Sequence, residues 1–457
     1  MIGSDRTESL CPICLQRIPA LRDSRDDGVF LVKTCPDHGD FQTLIWKGSP
    51  SFESWQRPKI PITPAVTYHD VDRGCPFDCG LCPDHRQKSC TVILEVTSRC
   101  NLNCPVCYAD SGRSNEPDPW LDILDQWYKS ARHAGGDCNI QLSGGEPTIR
   151  DDLPDIVRQG REAGFRFIQI NTNGLRLADD PSYVEVLKEA GLDSVFLQFD
   201  GTSDDIYRRI RGRDLLNKKL AAIENCGRND IGVVLVPTLV PDINTGNIGN
   251  MLKTALKLSP TVRAIHFQPV SYFGRFPRTA EPVKRLTLPE LMREIETQSD
   301  GMFETSHFQP PGCENARCSF HANYLVESPT RVRLLNQPQR TCCSPEPEPA
   351  DVGAARSIAR VARQWAAPKP GSMVTLPMAA NSQPCGCQGG PQSLDDFLAQ
   401  ARSHTLSVSA MAFQDVWNID LDRLRDCCIH VMAPNGTLVP FCAYNLTAAN
   451  GRRLYRP

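Results

Sequence analysis

Twenty-one cysteines stand in this chain of 457 residues, most of them in short clusters, and no other feature limits the possible folds as strongly. Such a density means either a disulfide framework or a set of metal sites. A framework suits short secreted domains that cannot bury an adequate core. This chain, 40% hydrophobic, can bury a large core and should divide into about two to four domains. Its amino terminus, Met1-Ile2-Gly3-Ser4-Asp5-Arg6, has no apolar run behind a basic start, and no stretch approaches the roughly 18 apolar residues that span a bilayer. The expectation is a soluble, cytoplasmic protein without a transmembrane segment, whose thiols stay reduced and bind metal. A formal net charge of -3 argues against a surface built to neutralise phosphates, so no nucleic-acid partner is expected.

The clusters divide the chain. In residues 1–60, Cys11-Pro12-Ile13-Cys14 and Cys35-Pro36-Asp37-His38 flank a strand-like Gly28-Val29-Phe30-Leu31-Val32. Two ligand pairs brought together by a short hairpin have the spacing of a zinc ribbon or rubredoxin-like knuckle, and zinc or mononuclear iron fits Cys11, Cys14, Cys35 and His38 equally. A structural role is expected there, and Asp23, Asp26, Asp27, Asp37 and Asp40 oppose a nucleic-acid surface. Residues 61–90 follow a Pro-rich stretch, Pro58 to Pro64, and carry Cys75, Cys79, Cys82 and Cys90.

Residues 91–300 change character. Short apolar runs alternate with amphipathic stretches of helical length: Val92–Val96, Asn139–Leu142, Phe167–Ile170, Val195–Phe199, Val233–Val236 and Ala264–Phe267. Six strands separated by helices predict an α/β fold with a parallel sheet that curls into a partial (β/α)6 barrel, its site at the carboxyl ends of the strands. Beyond residue 300 the periodicity fades and cysteines return, at Cys313, Cys318, Cys342, Cys343, Cys385, Cys387, Cys427, Cys428 and Cys442. Pro345-Glu346-Pro347-Glu348-Pro349 reads as an extended linker, and the segment from Ala354 to Trp365 as a helix. Residues 301–457 are expected to form an iron-sulfur and substrate region.

Just after the first run, Cys100-Asn101-Leu102-Asn103-Cys104-Pro105-Val106-Cys107 places three thiols in one loop. Three cysteines can ligate three irons of a cubane and leave the fourth open, though a structural zinc or ferredoxin-type site has the same ingredients. One βα unit later comes Leu142-Ser143-Gly144-Gly145-Glu146-Pro147, where adjacent glycines allow close backbone approach and a carboxylate can hold an ammonium. Asn171-Thr172-Asn173-Gly174, then Gln198-Phe199-Asp200-Gly201, end the third and fourth runs.

The cysteine loop and the Gly-Gly-Glu-Pro string together resemble the signature of the radical S-adenosylmethionine (radical SAM) superfamily. One departure is Val106, where an aromatic residue usually precedes the third cysteine; Tyr108 follows directly instead. The resemblance implies a [4Fe-4S] cluster on Cys100, Cys104 and Cys107, with SAM chelating the open iron. Reduction then splits SAM into methionine and a 5′-deoxyadenosyl radical. Tyr108, Gly144, Gly145, Glu146, Pro147, Asn171, Thr172, Asn173, Gln198 and Asp200 are the implied cofactor contacts.

The second triplet, Cys75-x3-Cys79-x2-Cys82, follows Asp72-Arg73-Gly74 rather than a strand, so it is assigned to an auxiliary cluster. Cys90, His85 or a distant carboxyl-terminal cysteine could complete it. The carboxyl-terminal cysteines suffice for one further [4Fe-4S] cluster, with Cys313, Cys318, Cys342 or Cys343, and Cys427 or Cys428 as its set; Cys442 is a further candidate ligand. Adjacent cysteines rarely reach one cluster, so one member of each pair could stay a free thiol. Cys138 and Cys226 fall in strand or helix patterns and read as buried small hydrophobes.

The end of the chain, Phe413 to Arg423, Cys428-Ile429-His430 and Pro434 to Asn445, combined with the knuckle, resembles the group of class D radical SAM methyltransferases acting on hydroxymethyl-dihydropterin and the tetraether lipid synthases. The resemblance implies carbon-carbon bond formation, with an electron donor such as ferredoxin or flavodoxin. A methylase would take its one-carbon unit from a methylene-tetrahydrofolate-type donor. Asp415, Asn418, His430, Tyr444 and Asn445 are substrate contacts by resemblance. The reading leans to C-methylation of a small pterin-like substrate, because no long apolar surface helix or loop would admit two lipid tails. Radical coupling of lipid alkyl chains is the alternative, and a multi-cluster electron-transfer protein without SAM chemistry is the reading from another class.

Overall fold

The structure, a computed structural model, describes residues 5–112, 117–276, 284–335, 347–368 and 403–456. Cys342, Cys343, Cys385, Cys387 and the start of the Pro345–Pro349 linker lie outside the described residues.

The amino-terminal module is a four-stranded antiparallel sheet: β1 (Asp5–Leu10), β2 (Arg17–Arg25), β3 (Gly28–Cys35) and β4 (Gly39–Trp46), paired in that order. Alternate residues of β2 and β3 turn inward, so Ile18, Ala20, Val29 and Leu31 are buried while their neighbours face water. A single hairpin was the expectation; four strands form because β1 and β4 each continue the ladder from a metal-ligand turn.

After the short β5 (Lys59–Ile60), the main sheet begins with β6 (Thr91–Thr97) and continues through β7 (Asn139–Gly144), β8 (Ile168–Thr172), β9 (Ser194–Gln198) and β10 (Gly232–Val236). The short β11 (Thr238–Leu239) pairs beside the end of β12 (Val262–Pro269). These strands match the six apolar runs. The intervening helices are α1 (Leu121–Gly135), α2 (Leu153–Glu162), α3 (Leu175–Asp179), α4 (Pro181–Glu189), α5 (Asp204–Arg211), α6 (Leu216–Arg228), α7 (Ile248–Lys257) and α8 (Leu288–Gln298). Leu142, Ile168, Ile170, Leu197 and Leu235 turn outward into the helical layer and are fully buried, each worth about 1.5–3 kcal/mol. On α2, Leu153, Ile156, Val157 and Gly160 make the matching stripe.

The carboxyl-terminal part supplies β13 (Ser319–Ser328), β14 (Arg331–Leu334), β15 (Glu348–Pro349), α9 (Ala350–Trp365), β16 (Thr405–Met411), β17 (Ile429–Met432) and β18 (Leu438–Pro440). β16 joins parallel to β12 and β17 joins parallel to β6, one on each flank of the six strands. The parallel run is therefore β16-β12-β10-β9-β8-β7-β6-β17, eight strands, edged by antiparallel β13–β14 and β18. The boundary expected at residue 300 runs through one continuous sheet. No helix among the described residues is long and apolar enough to cross a membrane.

The amino-terminal sheet grips the segment between β16 and β17. Ser9 Oγ donates to the Ile419 carbonyl at 2.5 Å, Lys33 Nζ to the Val416 carbonyl at 2.9 Å, and Thr7 Oγ1 to Asp420 Oδ1 at 2.7 Å. Arg22 Nε reaches Asp420 Oδ2 at 2.7 Å, with both side chains at most 5% exposed. Removing one member of a buried ion pair leaves a charge without a partner, at a cost of about 3–5 kcal/mol. Arg22→Met is accordingly expected to lower the thermal midpoint and to make residues 5–46 sensitive to limited proteolysis; a midpoint equal to that of the unmutated protein would show that the clamp carries no load.

Candidate functional site

The cysteine loop leaves the end of β6 and packs against the turn after β7. Gly145 N–H donates to the Thr97 carbonyl at 2.7 Å, and Glu146 N–H to the Arg99 carbonyl at 2.9 Å. A Cβ on Gly144, whose φ is +117°, would stand 2.2 Å from the Thr97 oxygen, and one on Gly145 would stand 1.9 Å from the Arg99 oxygen. The close approach that these glycines permit is thus to the cysteine loop's own backbone. Glu146, 1% exposed, is also largely engaged by the chain. Its Oε1 accepts from Thr148 N–H, Thr148 Oγ1 and Thr172 Oγ1 at 3.1, 2.7 and 2.6 Å, and its Oε2 accepts from Asn173 N–H at 2.6 Å. One acceptor position on Oε2 remains.

Two arginines that the sequence reading missed hold the loop from behind. Arg211, at the end of α5, forms a buried bidentate pair with Asp200, 2.7 Å on both oxygens, and donates to the Val106 carbonyl at 3.1 Å. Arg275 exchanges two backbone hydrogen bonds with Cys107 and donates from Nε to the Cys104 carbonyl at 2.8 Å. Lys219, fully buried on α6, donates to the Asn173 carbonyl at 2.5 Å and to Gln198 Oε1 at 3.3 Å. Arg208, Arg209 and Arg211 look like one solvated basic face in sequence, and only the buried Asp200 singles out the last.

The loop forms one wall of a cavity of about 360 Å³ that fills the barrel. Cys100, Cys104, Cys107, Tyr108, Gly144, Gly145, Glu146, Asn171, Thr172, Asn173, Gln198 and Arg211 all line it; Pro147 and Asp200 do not. Asp200 serves Arg211 and the Thr238 N–H instead. Burial pushes the Cys100 thiol up to about 12, so a bound cation would be needed to make it a thiolate.

The same cavity is lined by Cys90 and Cys428, just before β6 and β17, and by Cys313, from the segment between α8 and β13. These three sulfurs lie within 4.8 Å of one another. The Cys90 and Cys313 sulfurs are in contact, but their Cα atoms stand 7.1 Å apart, wider than the roughly 4.4–6.8 Å usual for a disulfide, so the three cysteines suit a shared metal better than a bond between two of them. Cys90, suggested as a ligand for the Cys75 triplet, belongs with this group, and Cys318, suggested alongside Cys313, does not: its Sγ accepts from Arg423 at 3.3 Å. Cys427 is not part of Cys428's group; its Sγ donates to the Ile429 carbonyl at 3.2 Å.

Cys75, Cys79 and Cys82 are buried around a second, small pocket that His85 also lines. His85 Nε2 bonds the Cys427 carbonyl at 2.8 Å, so its proton sits there and Nδ1 keeps its lone pair. In the amino-terminal sheet, Cys14 and Cys35 sulfurs are 3.9 Å apart, and His38 Nδ1 is 3.7 Å from Cys11 and 3.4 Å from Cys35. All four ligand atoms lie within 4.8 Å of each other, a three-sulfur, one-nitrogen set suited to a tetrahedral ion.

Asp415, Asn418, His430, Tyr444 and Asn445 do not line the cavity. Asp415 pairs bidentately with Arg285 at 2.9 and 2.8 Å and is capped by Asn418; His430 Nδ1 bonds Ser89 at 3.0 Å; Asn445 holds Arg456 at 3.1 Å against Glu95. Tyr444 is buried in the carboxyl-terminal core. Cys138 and Cys226 are core residues, as expected.

Residues 94–255 match the family described as the Radical SAM superfamily, and residues 4–47 the family described as the HMPTM N-terminal zinc ribbon domain. The chain is 34% identical over 477 residues to the 7,8-dihydro-6-hydroxymethylpterin dimethyltransferase of Methanocaldococcus jannaschii, spanning 96% of this chain and 93% of that one. It is 26% identical over 215 residues to the GTP 3′,8-cyclase of Clostridium perfringens, covering 46% and 64% of the two chains. Among solved structures, Streptococcus suis SuiB bound to S-adenosylmethionine aligns over 48% of each chain with a TM-score of 0.37 and 14% identity.

The glycine contact yields a direct test. Gly145→Ala must displace the backbone of the cysteine loop, and the variant is expected to lose about four irons per chain on reconstitution while its other metal sites fill. Iron content equal to the unmutated protein would mean that the loop tolerates the shift.

Proposed function

This chain belongs to the radical SAM superfamily and, within it, to the family of the 7,8-dihydro-6-hydroxymethylpterin dimethyltransferase; on that premise we propose that it is a carbon methyltransferase acting on a pterin-like heterocycle. The observation that carries the proposal is the match to that relative over nearly the whole of both chains. When bound, a [4Fe-4S] cluster and SAM supply a 5′-deoxyadenosyl radical by one-electron cleavage of the sulfonium.

The residues suit that cofactor pair. Cys100, Cys104 and Cys107 are free thiols on the cavity wall and would ligate three irons. Arg211 and Arg275 fix the carbonyls of Val106 and Cys104, and so fix the loop's shape. The remaining acceptor position on Glu146 would receive the SAM ammonium, and Tyr108, Asn171, Asn173 and Gln198 present polar groups to the same space. Asp200 and Pro147 act at one remove, through Arg211 and through the turn that Glu146 caps.

Two auxiliary iron-sulfur sites fit the remaining cysteines: Cys75, Cys79 and Cys82 with His85 or Cys427 nearby, and Cys90, Cys313 and Cys428 at the far end of the cavity. The second group supports a role close to the substrate, since it shares the cavity with the SAM loop. Zinc is the proposed metal of the amino-terminal module, where three thiols and one imidazole leave no open position. Ferredoxin or flavodoxin would deliver electrons, and a methylene-tetrahydrofolate-type cofactor the one-carbon unit.

Anaerobically reconstituted protein, given SAM, dithionite, the dihydropterin and that one-carbon donor, is expected to release 5′-deoxyadenosine and a methylated pterin detectable by mass spectrometry. Cys104→Ala should abolish nucleoside formation and retain the auxiliary iron. Biphytane-type products from a lipid extract, with no methylated pterin, would overturn the proposal in favour of alkyl coupling.

A further inference from the structure

Successive side chains of a strand leave opposite faces, and on β7 and β8 that alternation separates aliphatic from polar. Leu142, Ile168 and Ile170 pack outward, whereas Gln141, Ser143, Gln169 and Asn171 line the central cavity. A barrel filled by its own side chains carries bulky branched residues inside. Amides and hydroxyls in that position need polar partners, because a buried polar group left unbonded is costly.

The chain supplies most of those partners itself. Tyr108 Oη and Ser143 Oγ are 2.9 Å apart, Asn171 Nδ2 donates to Ser143 Oγ at 3.1 Å, and Gln169 Nε2 donates to Ser194 Oγ at 3.0 Å. Gln141 Nε2 donates to Asn171 Oδ1 at 2.6 Å and to Gln169 Oε1 at 3.2 Å. Both hydrogens of the Gln141 amide are then spent. Its Oε1 has no partner among the described residues, although the side chain is only 9% exposed and faces the cavity.

Phe196, His266 and Trp365 form a cluster among the aromatic rings that line the same cavity. Phe196 lies 5.6 Å from His266 and 5.6 Å from Trp365, and the last two are 5.9 Å apart, all between ring centroids. His266 bonds Ser409 Oγ at 2.9 Å, and burial lowers its pKa to about 4, so the ring is neutral near pH 7. Asn323, 6% exposed, brings a further side-chain amide without a protein partner among the described residues.

We propose that this layer of the barrel is the subsite for a flat fused-ring heterocycle, which stacks against Phe196 and Trp365 and donates its exocyclic amine to Gln141 Oε1. The inference rests on the methylation reading and names the residues that select the substrate class. A pterin offers alternating donors and acceptors along its pyrimidine edge, and its rings suit an aromatic wall. An alkyl chain in the same space would leave Gln141 and Asn323 unbonded.

The test measures binding of 7,8-dihydro-6-hydroxymethylpterin, and of its analogue lacking the 2-amino group, to the reconstituted full chain and to Gln141→Met and Trp365→Leu at matched iron content. Gln141→Met is expected to weaken the pterin about tenfold and to erase the preference over the deamino analogue; Trp365→Leu should weaken both compounds alike. If both variants bind pterin within about twofold of an unmutated enzyme that methylates it, the subsite is overturned and the function stands. An unmutated enzyme that neither binds nor methylates any pterin overturns the function as well. Should Gln141→Met fail to load iron, Trp365→Leu, on α9 and away from the cysteine loop, decides the question by the same measure.

Discussion

The cysteine loop and the turn after β7 share a space with no room for a side chain. Gly144 and Gly145 lie against the carbonyls of Thr97 and Arg99, and two backbone hydrogen bonds lock the contact. Everything at the carboxyl ends of the strands takes its position from it. Glu146 follows directly, so its carboxylate falls where it ties Thr148, Thr172 and the Asn173 amide into one knot joining β7 to β8. Arg211 and Arg275 finish the cradle from the opposite side. A loop held this way keeps its thiols in place before any metal arrives, which is the pre-organisation that such a site requires.

The six central strands were legible because a parallel strand buried on one face by helices reads as a short β-branched run between helical periods. The flanking strands were not. β16 is Thr-Leu-Ser-Val-Ser-Ala-Met and β13 mixes His, Asn and Ser with aromatics, so neither stands out by hydrophobicity, yet both belong to the sheet. The same property hid the interior: Asn139-Ile140-Gln141-Leu142-Ser143 has a clean period of two, but its polar half marks a lined cavity rather than a face turned to water. Residues picked from the end of the chain by their motifs are held by arginines instead. Asp415 and Asn445 are polar groups in distinctive motifs, and the structure spends them on Arg285 and Arg456.

The cysteines show where spacing stops being informative. The amino-terminal quartet is local, and its pattern alone brought the four ligand atoms together. Cys90, Cys313 and Cys428 are scattered over more than 300 residues, and only the sheet unites them, since Cys90 leads into β6 and Cys428 into its neighbour β17. Consecutive residues entering a strand face opposite ways, which is why Cys428 joins the cavity and Cys427 does not.

The placement of β16 and β17 also sets an order of assembly. Both flanks of the parallel sheet are covered by segments made late, residues 405–411 and 429–432, so a chain growing from the ribosome carries six strands with two open sides. Unpaired edges of that kind invite aggregation and at the same time leave the interior accessible. Both flanks are covered only once residues 405–432 have been added, and the segment between β16 and β17 also receives the amino-terminal sheet.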